Sequence, residues 1–360
     1  MSKMPPKNPK SFDEVPRTTA NWETAAKEAG IASRSIHSFT QMKSGSKITQ
    51  TRYLLLRVLW PVQRKFRKTD LAKYDLDAYI HQASNFLNGF PPFANFIDSI
   101  RQSAETSPYQ TGDRFDLQIF EIARSEQLKI CKIQTSMGSQ NVVVQPLPPT
   151  RTRQASTRPK LAQISALNIP RSIDEDTVNT SLVSYLAALT LKLPNVGSQW
   201  MPRRLALKSK FGNDEYEARN DGFLAFKSTG KVQAIIEVKA GDRRDVSPEV
   251  QMQESAEMIA WIMDHNHGPA NSPGRYVHIL IICFIHALSA LEISQNGVEI
   301  YLIFALYSIG YVKYLKRKGS MKGQFMNMHQ FGPWLITDHR QMEDLSKIIL
   351  AFVLRAQDGQ

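Results

Sequence analysis

Cysteine is nearly missing: two in 360 residues, Cys131 and Cys283, far apart and each in an apolar setting. This excludes a disulfide framework or a Cys-x-x-Cys metal cluster and points to a reducing compartment, nucleus or cytoplasm. The eight histidines form no His-Glu-x-x-His or other metal spacing,. Walker A, G-x-S-x-G and G-x-G-x-x-G patterns are absent, so NTPase, serine-hydrolase and dinucleotide readings lack support, and no small-molecule cofactor is expected. Long apolar runs are scarce too. YVHILIICFIHALSAL, residues 276–291, is 16 uncharged residues interrupted by His278 and His286, too short for an easy span, so membrane attachment is not expected,. The opening MSKMPPKNPK has no apolar core and does not read as a secretory signal.

Acid is scarce in one half of the chain. The net charge is +12, and it is unevenly placed. Lys and Arg outnumber Asp and Glu by 24 to 13 over residues 1–160, and by 21 to 20 beyond them. A basic excess of this size favours an acidic polymer as partner, a solvated basic arm being the alternative.

Composition divides the chain into a basic N-terminal region (1–133), a Pro/Ser/Thr/Arg linker (134–170) and a C-terminal domain (171–357). Residues 1–50 have little periodicity and are expected to be poorly ordered. YLLLRVLWPV is a short apolar run ended by Pro61, and residues 70–104 read as two amphipathic helices divided by NGFPP. QPLPPTRTRQASTRPK, rich in proline and arginine without acid, reads as the linker. Beyond it, SIDEDTVNTSLVSYLAALTLKLP has a helix signature: a Ser172–Glu175 capping box, then Val178, Leu182, Tyr185 and Leu189 on one face. RLALKSKF, GFLAF and VQAIIEV read as strands, with a hairpin turn at KSTGK. A second helix starts at Ser247 with Pro248 in its first turn and a stripe of Met252, Ala256, Ile259 and Met263. GVEIYLIFAL is a further strand and EDLSKIILAFVLRA a closing helix. The order predicts an α/β core with a central mixed sheet flanked by helices, preceded by a mainly helical or partly disordered N-terminal region.

One constellation carries chemistry. Glu237 and Lys239 lie two apart on a strand and project from one face. Asp221 heads the partner strand, and the hairpin brings it beside Glu237, close enough to share a divalent cation. Hard carboxylate oxygens suit Mg²⁺, which leaves room for a phosphate oxygen. Lys239 can orient a water or neutralise charge at phosphorus, and Gln251 or Gln253 can reach in from the following helix. Arg243 and Arg244 stand where a phosphate backbone would pass. Alone, Glu-x-Lys is worth little, since solvated strand ends carry it often; Asp221 and the order of elements give it weight. DHNHG at 264–268 reads as the polar end of the second helix, and YLKRKGSMKG at 314–323 as a basic loop, a DNA contact or an import signal.

The D-x15-E-x-K arrangement between two helices resembles the PD-(D/E)xK nuclease superfamily. More closely, residues 171–263 are similar to a nuclease-like domain found in fungal proteins, through YEARNDGFLAF, AIIEVKAG and QMQESAEMIAWI; ISQNGVEIYLIFA and YVKYL are similar to its later strands. The resemblance implies a restriction-endonuclease-like core hydrolysing phosphodiester bonds of nucleic acid, DNA before RNA, with Mg²⁺ or Mn²⁺. It implies Asp221 and Glu237 as ligands, the Val238 carbonyl as a third, Lys239 as the water-positioning lysine, and Gln253 as a supporting or substrate-touching residue. The likeness runs from Arg275 almost directly to Ser294, which marks the intervening residues as an insertion. The family's first helix often carries an acid, whereas TVNTSLVSYLAALTL has none, with Asn179 and Ser181 poor substitutes. The alternative is a catalytically silent module of the same fold that binds nucleic acid or protein.

Overall fold

Residues 198–239 form five consecutive strands, three of which enter the main sheet while two pair as a separate ribbon. A computed structural model describes residues 14–38, 44–105, 116–138, 173–212, 214–241, 243, 247–265, 288–319 and 322–358. The strands are β1 (Val58–Leu59), β2 (Ser198–Met201), β3 (Leu205–Phe211), β4 (Asp214–Asn220), β5 (Gly222–Phe226), β6 (Val232–Lys239), β7 (Leu288–Asn296), β8 (Glu299–Tyr307) and β9 (Met326–Leu335). The helices are α1 (Thr19–Glu28), α2 (Gln50–Leu56), α3 (Lys68–Lys73), α4 (Asp77–Asn88), α5 (Pro91–Glu105), α6 (Glu121–Gly138), α7 (Glu175–Leu191), α8 (Ser247–His265), α9 (Ile309–Leu315) and α10 (His339–Asp358).

Seven strands form one mixed sheet in the order β1-β9-β8-β7-β6-β5-β2, and β3 and β4 form a separate ribbon. β5 and β6 are the expected hairpin, its turn using Gly230 at φ +68°. β6 pairs parallel with β7, β7 and β9 pair antiparallel with β8, and β1 pairs parallel with β9. Four strands, β1, β9, β7 and β6, therefore run one way and finish at the same end of the sheet. The architecture is the α/β fold the residue pattern predicts: a central mixed sheet with helices on both faces.

Strand alternation divides the core in two. Ala234, Ile236 and Val238 of β6 enter one cluster with Tyr185 and Leu189 of α7 and Ile349 and Val353 of α10. Ile235 enters the other, with Ala256 and Ile259 of α8, Leu54 to Leu56 of α2 and Tyr311 of α9. Glu237 and Lys239 follow Ile235 on the α8 face. Gly222 opens β5 because any Cβ there would stand 2.9 Å from the Met201 carbonyl oxygen of β2.

Several expectations are corrected. Residues 14–38 and 44–50 are folded, with Trp22 of α1 4% exposed. The C-terminal carbonyls of α2 explain the anchoring: Leu54 accepts from the Trp22 indole (2.8 Å), Leu55 from the Tyr314 hydroxyl (2.7 Å) and Leu56 from the Tyr311 hydroxyl (2.6 Å). The boundary between N-terminal region and C-terminal domain is not a packing boundary, since β1 extends the sheet and both clusters draw on each part. Residues 134–138 end α6 rather than start a linker, and the rest of the linker lies outside the described residues. YVKYL falls in helix α9, not a strand, because Ser308 caps it by accepting from the Tyr311 N–H at 3.0 Å. Residues 288–291, read as part of an insertion, belong to β7 with Leu291 opposite Ala234; 276–287 lie outside the described residues. The N-cap of α7 is Asp174, and Ser172 lies outside the described residues.

Candidate active site

The end of β6 and α8 bring Glu237, Lys239 and Gln253 together, and the turn before β5 lays Asp221 against the β6 backbone. The Asp221 backbone N–H donates to the Ile236 carbonyl at 2.9 Å, which fixes the turn between β4 and β5 against β6. Its Oδ2 accepts the Val238 N–H at 3.1 Å, and its Oδ1 faces Arg204 Nε at 3.2 Å. Asn179 of α7 does not replace a missing acid. It donates its Nδ2 to the Asp221 carbonyl at 3.1 Å and so fastens the turn from below.

Glu237 is 1% exposed. Its Oε1 accepts from Lys239 Nζ at 2.5 Å and from Gln253 Nε2 at 2.6 Å. Gln253 also donates to Glu257 Oε1 at 2.8 Å, one helical turn further along α8,. The second oxygens of Glu237 and Glu257, and both oxygens of Glu292 on β7, are buried and have no hydrogen-bond partner among the described residues. A desolvated carboxylate oxygen without a donor is costly, so burial here favours the protonated form of these acids.

The titration behaviour follows. Burial, then the neighbouring Glu257, pushes the Glu237 carboxyl well above the ordinary glutamate range, against the pull of Lys239. Glu257 is raised by burial and then by Glu292, and Glu292 by burial and then by Glu254. For Lys239 burial alone would depress the ammonium. The Glu237 carboxylate, with Glu257 and Glu175 behind it, outweighs burial and holds it above the usual lysine value.

Two phosphate contacts were expected beyond β6. Arg243 is not one: it is 2% exposed and forms a bidentate ion pair with Glu254, one bond of which is 2.7 Å. The Nη1 that donates to Glu254 Oε1 is shared with Ser294 Oγ at 3.1 Å and Asn296 Oδ1 at 3.3 Å. A basic residue after a strand reads as surface until a buried acid claims it. Arg244 lies outside the described residues.

Four acids and one base were missed. Glu254 and Glu257 sit on α8, one and four residues past Gln253, a spacing visible in QMQESAEM. Glu292 was hidden in a strand that reads as apolar. Glu175, exposed in the first turn of α7, adds the smallest of the electrostatic pulls that raise Lys239. Arg204 follows β2 and no local signal ties it to Asp221.

Hard-cation chemistry fits this donor set. Asp221, Glu237 and the Val238 carbonyl offer oxygens only, and the Glu237 Oε2 is buried without a partner among the described residues,. Asp221 has both oxygens engaged, but the Arg204 side chain is 63% exposed, so that contact exchanges at small cost,. Among the described residues no group of three or more His, Cys, Asp or Glu side chains is set to hold a metal ion, and no helix is long and apolar enough to cross a membrane. No protein-family model matches the chain, and no curated protein matches it.

Proposed function

We propose that the chain is a nuclease hydrolysing phosphodiester bonds of nucleic acid, DNA before RNA, in the nucleus or cytoplasm. The observation that carries this reading is the buried Glu237, with Lys239 and Gln253 converging on one oxygen and the other left without a donor. Asp221, Glu237 and the Val238 carbonyl would hold Mg²⁺ or Mn²⁺. The cation would act as a Lewis acid on the phosphate and offset the charge that develops there. Lys239 remains protonated and supplies a fixed cation where a water or phosphate oxygen would sit. Gln253 holds the Glu237 carboxylate in place through its amide, and its second contact with Glu257 ties that position to α8.

Plasmid nicking with Mg²⁺ or Mn²⁺ tests this, comparing wild type with Lys239→Ala. A loss of about 10²-fold or more is expected, the size typical of removing one preorganised stabilising group. Equal rates reject catalysis at this site. The second reading, a silent module of the same fold, is favoured by one observation: Arg204 stands on Asp221. It prevails if neither wild type nor Arg204→Ala cuts.

A further inference from the structure

Beyond β1 the chain reads Gln-Arg-Lys-Phe-Arg-Lys over residues 63–68, the most concentrated basic run among the described residues of the N-terminal part. It continues beside β9: Arg64 bridges Phe331 in parallel, its N–H donating to the Gln330 carbonyl at 3.3 Å. Register carries across the sheet from there. Phe331 faces Leu302, Leu302 faces Ile293, and Ile293 faces Ile236, one residue before Glu237. Because β1, β9, β7 and β6 run the same way, residues 65–68 leave the sheet at the end where Glu237 and Lys239 stand. Four strand spacings separate the two places, about 19 Å.

Of these cations, Arg64 is spent on Asp70 in a bidentate pair. Lys65, Arg67 and Lys68 are exposed and make no salt bridge among the described residues. Arg67 and Lys68 line a groove of ≈ 220 Å³ with Phe66, Leu71, Ile80, Ile348, Lys347 and Asp344, the last accepting from the Trp334 indole at 3.0 Å. Its apolar walls pack on the α7/α10 face of the sheet, so a strand passing from Glu237 on the α8 face reaches it round the sheet's end. The acids on the loops between are already engaged. Glu299 accepts from the Tyr301 hydroxyl at 2.7 Å, and Asp338 accepts the Arg340 and Gln341 N–H groups at 2.9 and 3.2 Å.

We infer that this surface binds the phosphate backbone of a single nucleic-acid strand leaving the candidate active site, with the groove taking an unstacked base. The inference rests on the nucleic-acid reading above and adds where the substrate runs and in what form. Exposed cations beside an apolar groove with one aromatic ring, Phe66, suit a single strand, whose bases have free faces, better than a duplex,. A span of about 19 Å covers several phosphates at about 3.4 Å of axis per strand.

The test measures binding of a fluorescein-labelled 20-nucleotide single strand, and of its duplex, to the full chain in EDTA across a salt series. The variants are Arg67→Glu/Lys68→Glu and the milder Arg67→Gln/Lys68→Gln, each checked for an unchanged thermal midpoint. At low salt, charge reversal should weaken single-strand binding tenfold or more. The neutral pair should flatten the log–log salt slope by about 1.4, two phosphate contacts at about 0.7 each. Wild-type affinity and slope in both variants overturn the surface and leave the hydrolytic site standing. A wild type that binds neither strand nor duplex, prefers the duplex, or binds only phosphatidylserine vesicles also overturns it. If binding needs Arg67 and Lys68 while wild type cuts no faster than Lys239→Ala with Mg²⁺ or Mn²⁺, the surface stands and the nuclease reading falls.

Discussion

Lys239 and Glu237, two residues apart on one strand, meet at 2.5 Å with the glutamate 1% exposed. The glutamate is desolvated while the Lys239 side chain keeps 21% exposure, so removing the lysine strands the carboxyl more than the reverse,. Lys239→Ala should cost about 3 to 5 kcal/mol in urea unfolding. Lys239→Ala combined with Glu237→Gln should recover most of that loss. A double variant as unstable as the sum of the singles would show that the two charges are not coupled.

Arg204 on Asp221 makes the opposite prediction. Its side chain is mostly exposed, so Arg204→Ala should change stability by less than about 1 kcal/mol,. It should also free Asp221 Oδ1 and tighten Mn²⁺ binding several-fold by calorimetry. Unchanged or weaker Mn²⁺ binding would remove Asp221 from the ligand set.

The residues that gather at this site were legible where chemistry follows strand period or helical spacing. Glu237 and Lys239 share a face because side chains alternate, and Asp221 lies against the β6 backbone at Ile236 and Val238 because KSTGK is a short turn. What escaped depends on partners distant in sequence. β4 reads as DEYEARN, too charged for a strand by itself. It becomes one opposite β3, where Lys208 faces Glu217 and Lys210 faces Glu215,. β1 is two residues long and exists because β9 offers an edge. Arg243 could not be told from a surface cation until Glu254 was placed against it.

That ion pair gives a third prediction. Arg243→Met should destabilise by about 3 to 5 kcal/mol, as should Glu254→Leu, while the two together should come closer to neutral by replacing a buried pair with packed apolar groups. Arg243→Met should leave the salt dependence of DNA binding unchanged. A flatter salt slope would return Arg243 to the phosphate contacts.

Glu292 sets a pH dependence. Its folded-state pKa is raised by burial and then by Glu254, so the native state holds a proton that the unfolded chain releases near the ordinary glutamate value,. Stability from this group is full below about pH 4.3 and is lost as pH rises through the folded value. Glu292→Gln keeps the shape without the titration. Its thermal midpoint should match wild type near pH 5 and exceed it increasingly toward pH 8. A gap that stays constant with pH would show that Glu292 is not the titrating group.

The aromatic donors on α2 decide whether the N-terminal residues are an appendage or part of the fold. Tyr311 and Tyr314 reach from α9, more than 250 positions away in sequence, to the Leu56 and Leu55 carbonyls, and both hydroxyls are buried. Tyr311→Phe leaves the Leu56 carbonyl inside the core with its donor removed, a loss of about 1 to 3 kcal/mol. Tyr314→Phe removes a second contact too, because its hydroxyl also accepts the Ile36 N–H at 3.3 Å. If residues 14–60 fold as one unit with the sheet, each variant lowers a single cooperative transition seen alike by tryptophan fluorescence and far-ultraviolet dichroism. Trp22 and Trp60 report the N-terminal part, and Trp334 the sheet. An early loss of N-terminal signal, with the sheet melting at its wild-type midpoint, would restore the N-terminal residues as a separate unit. Two-state loss instead means that β1, and the basic run after it, is held at the sheet's end by the same core that places Glu237.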